Sequence, residues 1–190
     1  AQNVHASLPE LLLEVTTPLK TQAQAARLLA NLAFQPPNKV VLTEAGAVEA
    51  LQATLERTVA IVEQTSTFES VPTTHVLVEA AAALGNLSSG RSLRERCADA
   101  SCPVPRVLSQ LVNKRAWAAD GDATFNAAAA EATRALSSLS ASRNAHPALI
   151  VSNTPVALLE LVDKTAAAGG GVIGAANARV CLECGADATD

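Results

Sequence analysis

The chain has 190 residues, 49% of them hydrophobic and 17% charged, with one Trp, three Phe, no Tyr and no Met. That composition suits a continuous core and excludes disorder, and abundant alanine beside so few aromatics favours helices over strands. The formal net charge of −4 offers no broad cationic field to nucleic acid or anionic lipid, and no apolar run reaches the roughly 18 residues of a membrane span.

The first residues, Ala1 to His5, are neither a start methionine nor a signal peptide, so the chain reads as a piece of something longer. A medium helix is expected at Leu8-Pro9-Glu10-Leu11-Leu12, with Pro9 in the first helical position and a capping box from Ser7 and Glu10. A long helix follows, capped by Thr21 with Gln24 and carrying Ala26-Arg27-Leu28-Leu29-Ala30-Asn31-Leu32. A short helix is expected over residues 38–45, and Gly46 makes a sharp turn into a second medium helix at Val48-Glu49-Ala50-Leu51-Gln52.

The same order then recurs. Residues 57–75 read as an inserted corner, part of which, through Val62, extends the helix. The long-helix phrase returns as Ala81-Ala82-Ala83-Leu84-Gly85-Asn86-Leu87. A short helix at 92–100, a proline phrase at Val104-Pro105-Arg106-Val107-Leu108 and a corner at 113–125 lead to Thr133-Arg134-Ala135-Leu136-Ser137-Ser138-Leu139. The last round has a short helix at 144–152, Thr154-Pro155-Val156-Ala157-Leu158, a corner at 163–174, and Ala178-Arg179-Val180-Cys181-Leu182-Glu183-Cys184. Successive long-helix phrases start 55, 52 and 45 residues apart. A period of this kind is the mark of a repeat protein.

The stretch from Asn38 to Leu51, preceded by Ala26-Arg27-Leu28-Leu29-Ala30-Asn31-Leu32-Ala33, closely resembles the armadillo repeat. The resemblance covers nearly the whole chain. It implies an all-α fold, a right-handed α-α superhelix of three-helix units, with the two-helix HEAT repeat as the near alternative. The chain is then a single domain over residues 1–190, a fragment of a longer solenoid, with units at about 1–35, 36–90, 91–142 and 143–190. The first two spacings exceed the family's period of roughly 40–47 residues. Insertions at one corner account for the excess, and they are either tolerated drift or an accessory contact edge.

At 100° per residue, Ala25, Ala26, Leu29 and Leu32 share one side of the first long helix and are expected in the core. So are Ala80, Ala81, Leu84 and Leu87, and Ala132, Thr133, Leu136 and Leu139. The opposite side is polar in each copy. It holds Gln24, Arg27 and Asn31; Glu79, Ala82 and Asn86; Glu131, Arg134 and Ser138; and Ala176, Arg179 and Glu183. The resemblance implies that this side lines a concave peptide-binding groove. Asn31 and Asn86 match the asparagines with which the importin-α branch holds a peptide backbone. The tryptophans that branch places four residues earlier are absent, since Arg27, Ala82, Arg134 and Arg179 stand there. Arginine binds carboxylates and phosphates in a bidentate fork. The expected ligand is an extended acidic or phosphorylated segment, as in the β-catenin branch. The alternative is that Arg27, Arg134 and Arg179 pair with neighbouring Gln and Glu residues and simply solvate the face.

Other motifs carry less. Cys181 and Cys184 align with Leu29 and Leu32, both core positions, and Cys97 and Cys102 are two units away. No zinc set of four ligands forms, so no metal and no cofactor is expected. Core-like thiols favour a reducing, intracellular location, cytoplasmic or nuclear. No serine, cysteine or histidine has the setting of a nucleophile or base, so the chain is not expected to be an enzyme. Trp117, after Lys114 and Arg115, either caps its own unit or makes an edge contact with a partner. The function expected is a non-catalytic protein-binding scaffold whose partner is a protein or peptide. The alternatives are an architectural spacer, or the targeting or regulatory region of a larger enzyme such as a ubiquitin ligase or kinase. Neither terminal unit reads as a polar cap, so further repeats are expected in the parent chain.

Overall fold

A computed structural model describes residues 4–65, 71–115 and 123–167, and all regular structure among them is helical. In chain order the elements are α1 (Val4–Leu13), α2 (Leu19–Phe34), α3 (Pro36–Glu44), α4 (Ala47–Thr65), α5 (Val71–Ser88), α6 (Arg91–Arg96), α7 (Pro103–Arg115), α8 (Ala123–Ser140), a 3-10 turn (Arg143–Ala145), α9 (His146–Val151) and α10 (Thr154–Ala167).

The repeated phrases become repeated packing. The long helices α2, α5 and α8 form one rank, with α5 between the other two. The medium helices pack in the order α1, α4, α7, α10, and each of the first three also packs against the long helix that follows it. The short elements α3, α6 and the 3-10 turn make a third row.

Ala25, Ala26, Leu29, Ala80, Ala81, Leu84, Leu87, Ala132, Thr133, Leu136 and Leu139 are all buried, as their shared helical face requires, and Leu32 is partly buried against the same core. Alanines along this seam let the long helices approach closely, while the leucines supply apolar area. Full burial of one leucine contributes roughly 1.5–3 kcal/mol. Leu12, Leu51, Leu55, Leu108 and Leu111 of the medium rank close the other side of the core.

Several expected boundaries move. Pro9 lies inside α1, not at its start. Thr21 lies within α2, whose N-cap is Pro18 and has no side-chain cap bond. Pro105 and Pro155 fall in the first turns of α7 and α10, within two residues of the predicted position, where a missing N–H is still harmless. The first inserted corner is mostly helix, because α4 continues to Thr65 and α5 already begins at Val71. Buried Leu51, Thr54, Leu55, Thr58, Val59 and Val62 continue the i, i+3, i+4 pattern through that stretch. Its threonines are satisfied inside the helix: Thr54 Oγ1 donates to Ala50 O at 2.8 Å and Thr58 Oγ1 to Thr54 O at 2.7 Å. The extra length of the repeat therefore sits in longer helices as well as in the corners.

The turn between short and medium helices is made by a left-handed residue twice. Gly46 has φ 82° and Asn153 has φ 59°, and each directly precedes its medium helix. Glycine reaches this region without a Cβ clash, and asparagine tolerates it better than most residues. In the intervening unit the turn is longer. There Asp99 Oδ1 accepts 2.8 Å bonds from both the backbone N–H and the hydroxyl of Ser101.

Candidate binding surface

The polar residues of α2, α5 and α8 stand along one edge of the long-helix rank, and their surroundings differ from helix to helix. On α2, Gln24, Arg27 and Asn31 are exposed, and none has a side-chain hydrogen bond among the described residues. On α5 and α8 the equivalents Glu79, Ala82, Asn86, Glu131, Arg134 and Ser138 are half-buried.

Asn86 and Arg134 are joined in a ladder across all three helices. The amide Nδ2 of Asn86 donates to Ala30 O of α2 at 2.8 Å, and its Oδ1 accepts from Arg134 Nη1 at 3.2 Å. Arg134 Nη2 also reaches Ala82 O at 3.3 Å. Its Nε and Nη2 grip Glu131 Oε2 at 2.9 and 2.6 Å. Ser138 Oγ turns back to Arg134 O at 3.0 Å. The ladder fixes how α2, α5 and α8 sit against one another.

Gly85 permits it. A Cβ at that position would stand 2.7 Å from Arg134 Nη2 and 3.0 Å from Cζ, so only glycine leaves room for the guanidinium to lie on the helix backbone. Sequence reasoning passed over Gly85. The available signal was a glycine in mid-helix, at a cost of about 1 kcal/mol relative to alanine, where the neighbouring copies have Ala30 and Ser137.

Of the candidate arginines, then, Arg134 is held by Glu131 and Asn86, Arg27 is exposed with no partner among the described residues, and Arg179 lies outside them. So do Trp117, Ala176, Glu183, Cys181 and Cys184. Over the described part the polar edge balances Arg27 and Arg134 against Glu79 and Glu131.

Cys97 and Cys102 flank the turn between α6 and α7, with their sulfurs 3.1 Å apart and both thiols free. The hydrogen bond from Cys97 stabilises the Cys102 thiolate and lowers that thiol to about 7, against the opposing effect of burial, with the backbone at Val104 and the charge of Arg96 helping. Cys97 is pushed up by the same bond and by its burial. Among the described residues no group of three or more His, Cys, Asp or Glu is placed to hold a metal ion. His146 Nε2 lies 2.8 Å from Ser140 O and, as the N–H tautomer, donates to it at the end of α8. No single described helix is long and apolar enough to cross a membrane. The bent pair of residues 143–151 and 154–163, which together would reach that length, buries Leu149, Ala157, Leu158 and Leu161 in the core. No family model, curated protein or solved structure matches the chain.

Proposed function

We propose that the chain is an armadillo-type solenoid serving as a non-catalytic protein-binding scaffold, with an extended polypeptide segment lying along the polar edge of α2, α5 and α8. The observation that carries this reading is the repetition itself. Three long helices bury equivalent residues, Leu29, Leu84 and Leu136, and carry their polar positions on the opposite side. The short third helix of each unit and the left-handed turns at Gly46 and Asn153 support the armadillo form over the two-helix HEAT form.

On this surface Gln24, Arg27 and Asn31 offer donors that no described neighbour has taken, and they are the preferred contacts for a peptide backbone and an acidic side chain. Arg134 and Asn86 set the floor between them.

A second reading, an architectural segment that spaces other domains, is favoured by the balanced charge of the same edge. A peptide-array screen at two salt concentrations separates the two, comparing the natural chain with Arg27→Glu and Asn31→Ala. Arg27 is chosen because its exchange leaves the Asn86–Arg134 ladder intact. Salt-sensitive capture of acidic or phosphorylated segments that Arg27→Glu loses is the expected result. Equal capture by both proteins, or none, leaves the spacer as the function.

A further inference from the structure

A cleft of about 430 Å³ opens at the C-terminal ends of α5 and α8, lined by Ser89, Arg91, Arg94, Glu95, Ser142 and Asn144. Its rim is completed from α3, where Lys39 Nζ donates to Ser89 Oγ. Gly90 makes this approach feasible, since a Cβ there would press on Lys39 Cδ and Cβ at 3.1 and 3.2 Å and on Leu87 O at 3.0 Å. Arg94 is anchored by its Nε to Ser88 O at 3.0 Å, which leaves further guanidinium donors for other partners.

The charges do not balance. Arg91 is paired with Glu95 at 2.5 Å, across one helical turn. Neither Lys39 nor Arg94 is in an ion pair among the described residues, and the Glu95 carboxylate in the cleft is taken by Arg91. Burial, and then the charge of Arg94, hold the Lys39 ammonium below the ordinary lysine range. Two mutually repelling cations ringed by hydroxyls and an amide are relieved by an anion placed between them. A carboxylate brings one charge and two acceptor oxygens. A phosphate monoester brings about −1.5 to −2 charge and three strong acceptors, which matches two cations and the donors of Ser142 and Asn144.

We propose that this cleft binds a phosphate monoester carried on a partner polypeptide, with Lys39 and Arg94 as its charge partners. The carrier follows from position. Ser89 Oγ donates to Asn86 O at 2.8 Å, so the cleft begins one turn beyond the ladder, where a segment along the polar edge would leave it. That part rests on the peptide-binding reading, whereas the anion site does not.

The test is an NMR titration of the full chain with a phosphoserine peptide, its unphosphorylated form, free phosphoserine and inorganic phosphate. Saturable shifts of the Ser89, Gly90, Arg94 and Asn144 amides are expected for the phosphorylated ligands, with the peptide tightest. Removing one charge-assisted partner by Lys39→Gln is expected to weaken binding by about tenfold. Glu95→Gln, which frees Arg91, is expected to strengthen it severalfold. Lys39 is at the rim, so its variant keeps the test valid if Arg94→Gln fails to fold.

Absence of saturable shifts at the cleft overturns the site, as does affinity unmoved by both Lys39→Gln and Glu95→Gln. Inorganic phosphate binding as tightly as the peptide overturns the peptide carrier. Phosphoserine binding at the cleft without capture of any segment by the Arg27 edge refutes the groove reading and leaves the anion site standing.

Discussion

Arg134 lays its guanidinium on the backbone of α5 at Gly85, so closely that a Cβ on the glycine would meet Nη2 at 2.7 Å. The two residues stand on neighbouring long helices, and what happens at one decides the effect of changing the other. Gly85→Ala gains about 1 kcal/mol of helix propensity. It also drives the flexible end of Arg134 away from Ala82 O and Asn86, where each bond is worth about 0.5–1.5 kcal/mol. In the natural chain Gly85→Ala is expected to leave stability unchanged or to lower it by about 1 kcal/mol. In an Arg134→Ala background the same change is expected to stabilise by about 1 kcal/mol. Urea denaturation of the four proteins in this cycle measures the coupling, and equal effects in both backgrounds would refute the contact.

Asn31 and Asn86 occupy the same place in the repeated phrase but have different surroundings. Asn86 bonds Ala30 O and Arg134 across two helix interfaces, whereas Asn31 is exposed on α2. Asn86→Ala is expected to cost about 1–2 kcal/mol, from two lost bonds and a guanidinium with one partner fewer. Asn31→Ala is expected to stay within about 0.5 kcal/mol. Thermal melts of the two variants decide, and similar losses would mean that Asn31 has an unseen partner.

That contrast marks how far the sequence was readable. Helical period alone separated Leu84 from Asn86, because burial and exposure on one helix follow 3.6-residue geometry. Glycine's conformational freedom, not the period, marked Gly46 as a turn. The period could not tell Asn31 from Asn86, since their difference lies in a residue, Arg134, 48 positions further on. The mid-helix glycine at 85 was visible, but its reason sits on another helix. The corner at 57–75 was drawn too long: helix was expected through Val62, but α4 runs on to Thr65 and α5 already begins at Val71. Thr58, like Thr54 before it, turns its hydroxyl back onto α4, so a polar side chain there is satisfied without leaving the helix.

The left-handed turns give a cleaner test of repeat equivalence. Gly46→Ala places a Cβ in a region that costs an ordinary residue about 1–2 kcal/mol, and a loss of that size is expected. The space around Gly46 is open, with nothing within 4 Å of where the new Cβ would stand, so the loss is conformational and not steric crowding. Asn153→Gly is expected to be neutral or slightly stabilising, and Asn153→Ala to destabilise. Urea midpoints for the three variants check the pattern. Gly46→Ala at full stability would show that this turn does not need its positive φ of 82°.

The thiol pair gives a prediction about pH. The bond from Cys97 holds Cys102 low, at about 7, so the Cys102 thiolate is present above neutral pH and disappears as pH falls through that value. Alkylation by iodoacetamide follows the thiolate. The rate at Cys102 is therefore expected to rise through about pH 7 and level off, while buried Cys97, whose pKa is raised, stays unmodified. Cys97→Ala removes the donor and is expected to move the Cys102 midpoint upward, toward the ordinary range near 8.5. Cys97→Ser keeps an O–H donor and is expected to hold the midpoint low. Peptide-resolved mass spectrometry across pH distinguishes Cys102 from Cys181 and Cys184. A midpoint that is the same in the natural chain and in Cys97→Ala would assign the low value to Arg96 and the Val104 backbone instead.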